Sequence, residues 1–264
     1  MSIDPLVDTD DDKNRNFVTA LARGLDILRC YRPGETELSN ADLAERTKLP
    51  KATVSRLTYT LVKLGYLIAD PRRSTYRLGV GVLQLGFGVL SGLDISARAE
   101  PEMQALRDGP NSYVTVALGE RHQLDAVYVA VERSREDVAL TMRIGSRLPL
   151  FFSAVGRAIL VGLPEDVRES IEHEADAIDP EGQEARAASL ARAIDEYEAH
   201  GFCSSYGAWR PDVNGIAVYL KSLDGSRVYG LNVGGPSFHV KPKQLEKVYA
   251  PLLSAAAARL GFSA

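Results

Sequence analysis

The chain has 264 residues, of which 45% are apolar and 25% charged, and this composition predicts a soluble globular protein of one large or two ordinary domains. No apolar run approaches the roughly 18 residues of a membrane span, and the N-terminus lacks the basic-then-apolar order of a secretory signal. Cys30 and Cys203 lie far apart and form no disulfide framework. A reduced, cytoplasmic location is therefore expected, with no membrane partner.

The net charge of −4 is unevenly distributed along the chain. The first 12 residues contain five aspartates and no basic residue, and residues 1–14 are predicted to be a disordered acidic segment. Residues 13–80 carry 13 Lys/Arg against 6 Asp/Glu, a net charge of +7, whereas residues 81–264 carry 18 against 24, a net charge of −6. This pattern favours a polyanion partner for the N-terminal part, although chance clustering would give the same balance.

Three helices and a hairpin are predicted in residues 15–79. The first helix covers residues 17–30 and aligns Val18, Leu21, Leu25 and Leu28 on one face. A short second helix starts at Ser39 or Asn40, with Asp42 in its first turn, and ends near Thr47. The third runs from about Lys51 to Leu64, with Val54, Leu57, Leu61 and Leu64 as its apolar stripe and Gly65 after its end. Strands at 66–69 and 75–78 complete a winged helix-turn-helix.

The third helix has the two faces that a DNA-recognition helix requires. Its apolar stripe packs on the domain, and its other face offers polar and basic side chains to the major groove. Lys51, Thr53 and Arg56 are the candidates for base contacts, and Ser55, Thr58 and Tyr59 are the candidates for phosphate contacts. At the wing, Arg72, Arg73 and Arg77 are expected to bind flanking phosphates or the minor groove. The alternative is an ordinary solvated helix with a charged turn.

Residues 80–108 are predicted to form an apolar linker helix that pairs in a dimer, with intramolecular packing as the alternative. Residues 109–264 alternate strands and helices and are predicted to be an α+β sensor-like domain. Its strands are expected near 114–118, 124–131, 138–143, 214–220 and 227–234. Its helices are expected near 153–162, 164–173, 183–200 and 243–260, the last with Leu245, Val248, Leu252, Ala256 and Leu260 on one side.

The sequence predicts no enzyme, no cofactor and no metal site. The four histidines show no metal-ligand spacing, neither cysteine lies in a nucleophile motif, and Ser153 lacks the preceding glycine of a nucleophile elbow. Two further hypotheses remain open at this stage. The first is a pocket-bearing hydrolase or lyase fused to a nucleic-acid-binding module, which would require converging titratable groups in the pocket. The second is a signalling module that binds a protein through its winged helix.

Five segments together carry a family resemblance that covers the chain from about Phe17 to Leu260. They are ALARGLDILRCY (20–31), ADLAERTKLPKATVSRLTYTLVKLGYL (41–67), YRLG (76–79), IGSRLPLFFSAVGRAILVGLP (144–164) and GFCSSYGAWRPDVNGIAVYLKSLDGSRVYGLNVGGP (201–236). On these segments the chain resembles the IclR family of bacterial transcriptional regulators. The resemblance implies a winged helix-turn-helix domain, a linker helix and a GAF-like α/β effector-binding domain. It also implies a homodimer, or a tetramer formed as a dimer of dimers, that binds palindromic double-stranded operator DNA and represses or activates catabolic genes.

The resemblance further implies an effector site for a small organic acid, with an aromatic acid compatible with the sequence. Many members carry acidic residues where this chain has Ser205, Gly207 and Ala208, and Cys where it has Gly215. Replacing acidic groups favours an anion, and glycines enlarge the site. The expected effector-binding residues are Phe151, Ser153, Ala154, Gly156, Ser205, Trp209, Gly215, Asn232 and Gly234. Arg143 and Arg157 either assist a carboxylate or form outward salt bridges.

Overall fold

The computed structural model describes residues 17–32, 34–91, 94–136, 142–222 and 225–260. The acidic segment 1–14 lies outside these residues, as does most of the strand expected at 138–143, whose last two residues belong to no strand. The chain divides into two compact units, residues 1–92 and 93–264. Within the described ranges, every helix is too short or too polar to cross a membrane.

The first unit is a winged helix-turn-helix, as the sequence predicts. Its elements are α1 (Thr19–Arg29), β1 (Leu38–Ser39), α2 (Asn40–Thr47), α3 (Lys51–Lys63), β2 (Leu67–Asp70), β3 (Thr75–Leu78) and α4 (Val80–Ser91). The strands form an antiparallel sheet of order β1-β3-β2, in which Leu38 lies opposite Tyr76. Strand β1 was not predicted because two residues are too short to show an alternating pattern.

The helix boundaries in this unit follow from local chemistry. Ser39 caps α2, since its Oγ accepts a hydrogen bond from the Asp42 N–H at 3.2 Å while the Asp42 carboxylate accepts from the Ser39 N–H at 2.8 Å. This reciprocal pair is a capping box. Helix α3 ends where Gly65 adopts a φ of +79°, the left-handed conformation expected for a glycine in that place.

The apolar stripes of α1 and α3 are buried only in part. In α1 the face that packs on the core contains Ala22 and Ile27, whereas Val18, Leu21 and Leu25 are exposed by 61%, 63% and 43%. In α3 Val54 and Leu61 are buried, Leu57 is half-buried, and Leu64 is exposed because it follows the last helical turn. An apolar spacing identifies a common helix face, but it does not say what covers that face.

The second unit is an α/β domain, again as predicted. Its elements are α5 (Asp94–Arg107), β4 (Thr115–His122), β5 (Asp125–Glu132), β6 (Arg147–Pro149), α6 (Ala154–Gly162), α7 (Glu165–Ile178), a 3-10 turn (Pro180–Gly182), α8 (Gln183–His200), β7 (Cys203–Tyr206), β8 (Val213–Lys221), β9 (Val228–Pro236), α9 (Pro242–Gln244), a π-helical turn (Leu245–Tyr249) and α10 (Ala250–Arg259). The strands form one antiparallel sheet of order β6-β5-β4-β9-β8-β7. Strands β6 and β7 were not predicted.

Helices cover both faces of this sheet. On one face α5 and α10 pack on Val116, Leu118, Ile216 and Leu231, while on the other α6 packs on smaller residues of the same strands and α8 packs on α6 and on β7. Helix α6 lies particularly close to the sheet. A Cβ atom at Gly230 would lie 2.7 Å from Val155 Cγ2 and 2.8 Å from the Val155 carbonyl oxygen, so that only glycine fits beneath the helix.

The buried side of the C-terminal helix differs from the one predicted. Regular helical spacing placed Val248 and Leu252 inside, but these residues are 37% and 41% exposed. The buried residues are Leu245, Tyr249, Leu253, Ala256 and Leu260. The π-helical turn adds a residue to one turn and rotates the helix face that follows it, a local irregularity that apolar periodicity cannot reveal.

The predicted linker of residues 80–108 corresponds to α4 in the first unit and α5 in the second, while residues 92 and 93 lie outside the described ranges. Helix α5 buries Ile95, Ala99, Met103 and Leu106 against the sheet of its own unit, which is the intramolecular packing weighed as the alternative. In α4, by contrast, Val80, Leu83 and Phe87 are 76%, 72% and 67% exposed.

Candidate functional site

The exposed face of α3 carries most of the side chains expected to contact DNA. Lys51, Ser55, Arg56 and Tyr59 are exposed, and Thr53 is half-buried. These residues follow the helix-turn-helix bend, where the N-terminal turns of a recognition helix approach base edges. Lys63 Nζ lies 5.5 Å from the centre of the Tyr59 ring, which adds a third cation beside Lys51 and Arg56.

The prediction that Thr58 contacts a phosphate is wrong. Its side chain is fully buried, and its Oγ1 donates a hydrogen bond to the Ser55 carbonyl oxygen at 3.1 Å. Thr58 follows Val54 by one helical turn and belongs to the face that packs on the domain core, so the hydroxyl is unable to reach a phosphate. A short polar side chain satisfied by its own helix is compatible with burial, and residue type alone does not reveal this.

The wing presents its three arginines to solvent. Arg72, Arg73 and Arg77 are all exposed, and the Asp70 carboxylate accepts hydrogen bonds from the backbone N–H groups of Arg72 and Arg73 at 2.8 and 3.3 Å. These bonds order the tip of the hairpin. The Arg73 guanidinium is 3.2 Å from the Glu37 carboxylate, so Arg73 must exchange this ion pair to bind a phosphate.

A cavity of about 400 Å³, including its open mouth, lies in the second unit between the start of α6 and the sheet. Its lining residues are Thr115, Tyr128, Met142, Leu148, Ala154, Val155, Ser205, Trp209, Val213, Asn214, Gly215, Asn232 and Gly234. The register of the strands places the lining residues of the sheet side by side, since Gly234 of β9 lies opposite both Thr115 of β4 and Gly215 of β8. Among these described residues, none carries a charged side chain.

Six of the nine residues expected at the effector site line this cavity. They are Ala154, Ser205, Trp209, Gly215, Asn232 and Gly234. Phe151, Ser153 and Gly156 do not line it. Phe151 is buried in the core, and Ser153 Oγ caps α6 by accepting from the Gly156 N–H at 3.1 Å. A Cβ at Gly156 would lie 2.2 Å from the Leu150 carbonyl oxygen, so Gly156 serves close packing.

Several residues that line the cavity were not predicted. Among them, Tyr128 is a large side chain with a polar hydroxyl group. Burial raises the pKa of Tyr128 above its ordinary value, and a hydrogen bond with the Asn232 side chain opposes this rise. The phenol is therefore neutral at physiological pH. Tyr128 is a residue of β5, and it reaches the cavity through the register of β5 in the sheet. The sequence pattern of β5 alone does not specify this register.

Arg157 lies behind the cavity and is only 5% exposed, contrary to an outward salt bridge. Its guanidinium donates to the carbonyl oxygens of Phe151 and Ser204 at 3.2 and 2.6 Å and to Ser189 Oγ at 2.8 Å. Among the described residues, no carboxylate comes within 4.0 Å of it. Burial lowers the pKa of Arg157, and the charge of the nearby Glu196 opposes this effect.

The cysteines and the metal-ligating side chains are the other candidate reactive groups in the described residues. Both cysteines are buried, and burial raises the pKa of Cys30 to about 11. The described residues contain no cluster of three His, Cys, Asp or Glu side chains that would hold a metal ion. The cavity lining therefore offers hydrogen-bonding and apolar groups rather than an acid and base pair.

Winged helix-turn-helix units that present a basic, exposed helix of this kind act as DNA-binding modules. The first unit thus defines the class of the protein as a DNA-binding regulator. Similarity to known proteins identifies the family. The IclR helix-turn-helix domain model matches residues 20–71, and the model described as bacterial transcriptional regulator IclR C-terminal matches residues 87–260. The chain belongs to the IclR family of transcriptional regulators.

Individual relatives resemble the chain over most of its length. The HTH-type transcriptional regulator TsaQ1/TsaQ2 of Comamonas testosteroni is 38% identical, covering 86% of this chain and 81% of the relative. The Pca regulon regulatory protein of Pseudomonas putida is 29% identical, covering 91% and 82%. A crystal structure of an IclR family transcriptional regulator from Brucella abortus superimposes with a TM-score of 0.81 at 41% identity, covering 97% of this chain and 96% of that one.

Proposed function

We propose that this regulator binds double-stranded operator DNA as a homodimer in the cytoplasm and that a small organic acid in the cavity of its second unit controls this binding. The observation that carries the proposal is the pairing, in one chain, of an exposed basic α3 with a partly enclosed cavity whose described lining is uncharged. The protein acts by binding alone in this proposal, which sets aside the hydrolase or lyase alternative.

The DNA contacts are assigned from exposure. Lys51, Thr53 and Arg56 face base edges from the start of α3, while Ser55 and Tyr59 bind phosphates. Arg72, Arg73 and Arg77 extend the contact to the flanking backbone from the wing. Phosphate contacts would supply affinity and salt dependence, and base contacts would supply sequence preference.

The homodimer is supported by two apolar surfaces in the first unit that the chain itself leaves uncovered. Val18 and Leu21 on α1 are more than 60% exposed, as are Val80, Leu83 and Phe87 on α4. Contiguous exposed apolar side chains are costly in water and are typical of protein interfaces. A second copy of the chain would cover them, and pairing of two such dimers would give the tetramer.

The electrostatics around α6 support an effector that is an acid and therefore carries a negative charge. A helix N-terminus carries free N–H groups and a partial positive charge that favours an anion. The buried Arg157 guanidinium on the same helix adds a full positive charge that no nearby carboxylate pairs directly among the described residues. A ligand can then shift DNA binding only through different affinities for two states of the protein.

The test is a measurement of DNA binding by fluorescence anisotropy, using a duplex selected by the protein from a random library. Arg56→Ala should cost about 1–3 kcal/mol of binding free energy and relax the sequence preference, as expected for loss of a base contact. Lys51→Ala should weaken binding more than Lys247→Ala, which removes the same charge from the exposed side of the second unit. Unchanged affinity and preference in Arg56→Ala would show that α3 is not the recognition helix.

The same assay tests the effector and the assembly. A panel of small organic acids should include at least one that changes the DNA affinity, and the mass of the free protein by light scattering should be that of a dimer or tetramer. A monomeric protein that binds DNA fully and responds to none of the acids would contradict the proposal.

A further inference from the structure

The carboxylates of the winged helix-turn-helix are almost all engaged within that unit. Residues 13–80 contain six of them. Five are held by ion pairs with arginines or by backbone N–H groups, and these are Asp26, Glu35, Glu37, Asp42 and Asp70. The sixth, Glu45, is exposed on α2. The folded unit therefore has few carboxylates left for its remaining basic side chains.

Five of those basic side chains form what we call the basic surface of α3 and the wing. They are Lys51, Arg56, Lys63, Arg72 and Arg77, and all five are exposed. Within the described ranges, none of them forms an ion pair with a carboxylate. Unpaired charges of one sign gathered on a small domain create a potential that attracts a polyanion. In the absence of DNA, the basic surface thus lacks the anion that it fits.

A polyanion is available on the same chain, immediately before α1. The acidic segment, residues 1–14, has five aspartates and no basic residue in its first 12 positions. These aspartates are Asp4, Asp8, Asp10, Asp11 and Asp12. A carboxylate accepts charge-assisted hydrogen bonds from guanidinium and ammonium groups, as a phosphate does. The segment therefore offers the basic surface the charge of a DNA backbone without any bases.

The point of attachment brings the segment within reach of α3. The described chain begins at Phe17, and α1 and α3 share one buried core to which Ile27 and Val54 contribute. A chain spans at most about 3.6 Å per residue, so Asp12 can lie up to about 18 Å from Phe17 and Asp4 up to about 47 Å. Helix α3 is itself only about 20 Å long. Tethers of this length give millimolar effective concentrations, at which weak ion pairs are sufficient for binding.

We infer that the acidic segment docks on the basic surface of its own chain when DNA is absent and that DNA must displace it. The inference rests on the proposed function, because it takes α3 and the wing to be the DNA-binding surface. It adds an intramolecular competitor that lowers the affinity for every DNA sequence. The effect is largest at low salt, since salt screens ion pairs between exposed groups.

This competitor has a recognisable signature in the salt dependence of DNA binding. Affinity for DNA falls as salt rises, because binding releases counterions from the phosphates. The docked segment also dissociates as salt rises, and its loss returns part of the affinity. The wild type should therefore show a shallower slope of log affinity against log salt than a chain whose segment has no charge.

The first experiment measures binding of the full chain to a labelled duplex of random sequence by fluorescence anisotropy. The segment variant carries asparagine in place of all five aspartates, which removes the charge and keeps the length (D4N, D8N, D10N, D11N and D12N). At about 50 mM salt it should bind about 3- to 10-fold more tightly than the wild type, because five weak ion pairs are lost. At about 200 mM salt the difference should fall below about 2-fold.

The matched control changes the net charge by the same amount but leaves the segment intact. It replaces five exposed glutamates of the second unit by glutamine, namely E169Q, E174Q, E181Q, E184Q and E198Q. These carboxylates act on DNA only by long-range repulsion, which is screened over about 10 Å at 0.1 M salt. The control should therefore stay within about 2-fold of the wild type. A gain equal to that of the segment variant would show that net charge alone acts, and would overturn the inference.

The second experiment detects the docked contact in the wild type, so that it does not depend on the folding of a variant. A water-soluble carbodiimide joins a carboxylate to an amine without a spacer, and therefore only where the two groups touch. Mass spectrometry should find the peptide with Asp10–Asp12 linked to Lys51 or Lys63 of the same chain, and not to the exposed Lys247 of the second unit. Addition of DNA should abolish the link.

Three results would overturn the inference while leaving the proposed function intact. They are equal affinities of the wild type and the segment variant at low salt, the absence of a link from the segment to Lys51 or Lys63, and links that join two chains instead of one. Failure of the proposed function is distinct from all three, because neither the wild type nor either variant would then bind the duplex.

Discussion

Replacing Gly230 with alanine tests the close approach of α6 to the sheet. The added Cβ would lie 2.7 Å from Val155 Cγ2, 2.8 Å from the Val155 carbonyl oxygen and 3.2 Å from Ile159 Cγ1. The valine methyl group can rotate away, but the carbonyl oxygen is part of the helix backbone. Gly230→Ala must therefore displace α6, including the end that borders the cavity.

The magnitude follows from the cost of overpacking, which is about 1–3 kcal/mol for an added methyl group in a tight core. In a domain of this size each kcal/mol lowers the midpoint of thermal unfolding by about 2–4 °C, so Gly230→Ala should lower it by roughly 2–12 °C. Its affinity for the effector should fall as well, because the N–H groups of α6 move.

The assay is differential scanning calorimetry, with Gly215→Ala as the matched control on the neighbouring strand. A Cβ at Gly215 meets its nearest atoms at 3.4, 3.6 and 3.9 Å, which are ordinary contacts, so this variant should unfold near the wild-type temperature. It still projects a methyl group into the cavity and should weaken the binding of bulky ligands. A Gly230→Ala protein as stable as Gly215→Ala would refute the placement of α6 against β9.

Three further outcomes follow from the first unit. Arg77→Ala should weaken binding to all DNA sequences alike and reduce the slope of log affinity against log salt by about 0.9, measured by anisotropy between two salt concentrations; an unchanged slope would exclude a phosphate contact. Thr58→Val should leave this slope unchanged, because the hydroxyl is buried. Hydrogen bonds from Ser39 lower the pKa of Asp42, so its stabilising contribution is present above the unfolded pKa of about 3.9 and lost as the pH falls through the lower folded value. Asp42→Asn should therefore reduce the acid sensitivity of unfolding followed by circular dichroism.

Local signals predicted the architecture well where a chemical rule applies to neighbouring residues. A cap at Ser39 or Asn40 and the left-handed Gly65 were both predicted because each depends on residues within one turn, whereas the reciprocal bond of Asp42 to Ser39 was not. The apolar face of α1 was found as a pattern, yet most of it is uncovered within the chain. The spacing of apolar residues shows which side chains share a helix face. It does not show what that face packs against.

The cavity shows the corresponding limit for a binding site. Family resemblance located Gly215, Asn232 and Gly234 because they belong to one contiguous segment pattern. Thr115 and Tyr128 come from strands about 100 residues earlier in the chain, and they reach the cavity only through the register of β4 and β5 with the rest of the sheet. Register is a property of the folded sheet, so these residues could not be assigned from local sequence.

Trp209 is the single tryptophan of the chain, and it lies in the cavity lining with the Arg210 guanidinium 5.5 Å from its ring. Light absorbed selectively by indole is therefore emitted from one place in the molecule. Any occupant of the cavity changes the polarity around that ring or accepts its excitation energy. The protein thus contains a built-in optical reporter, with which occupancy could be followed in real time, without a label, while the DNA carries a separate dye.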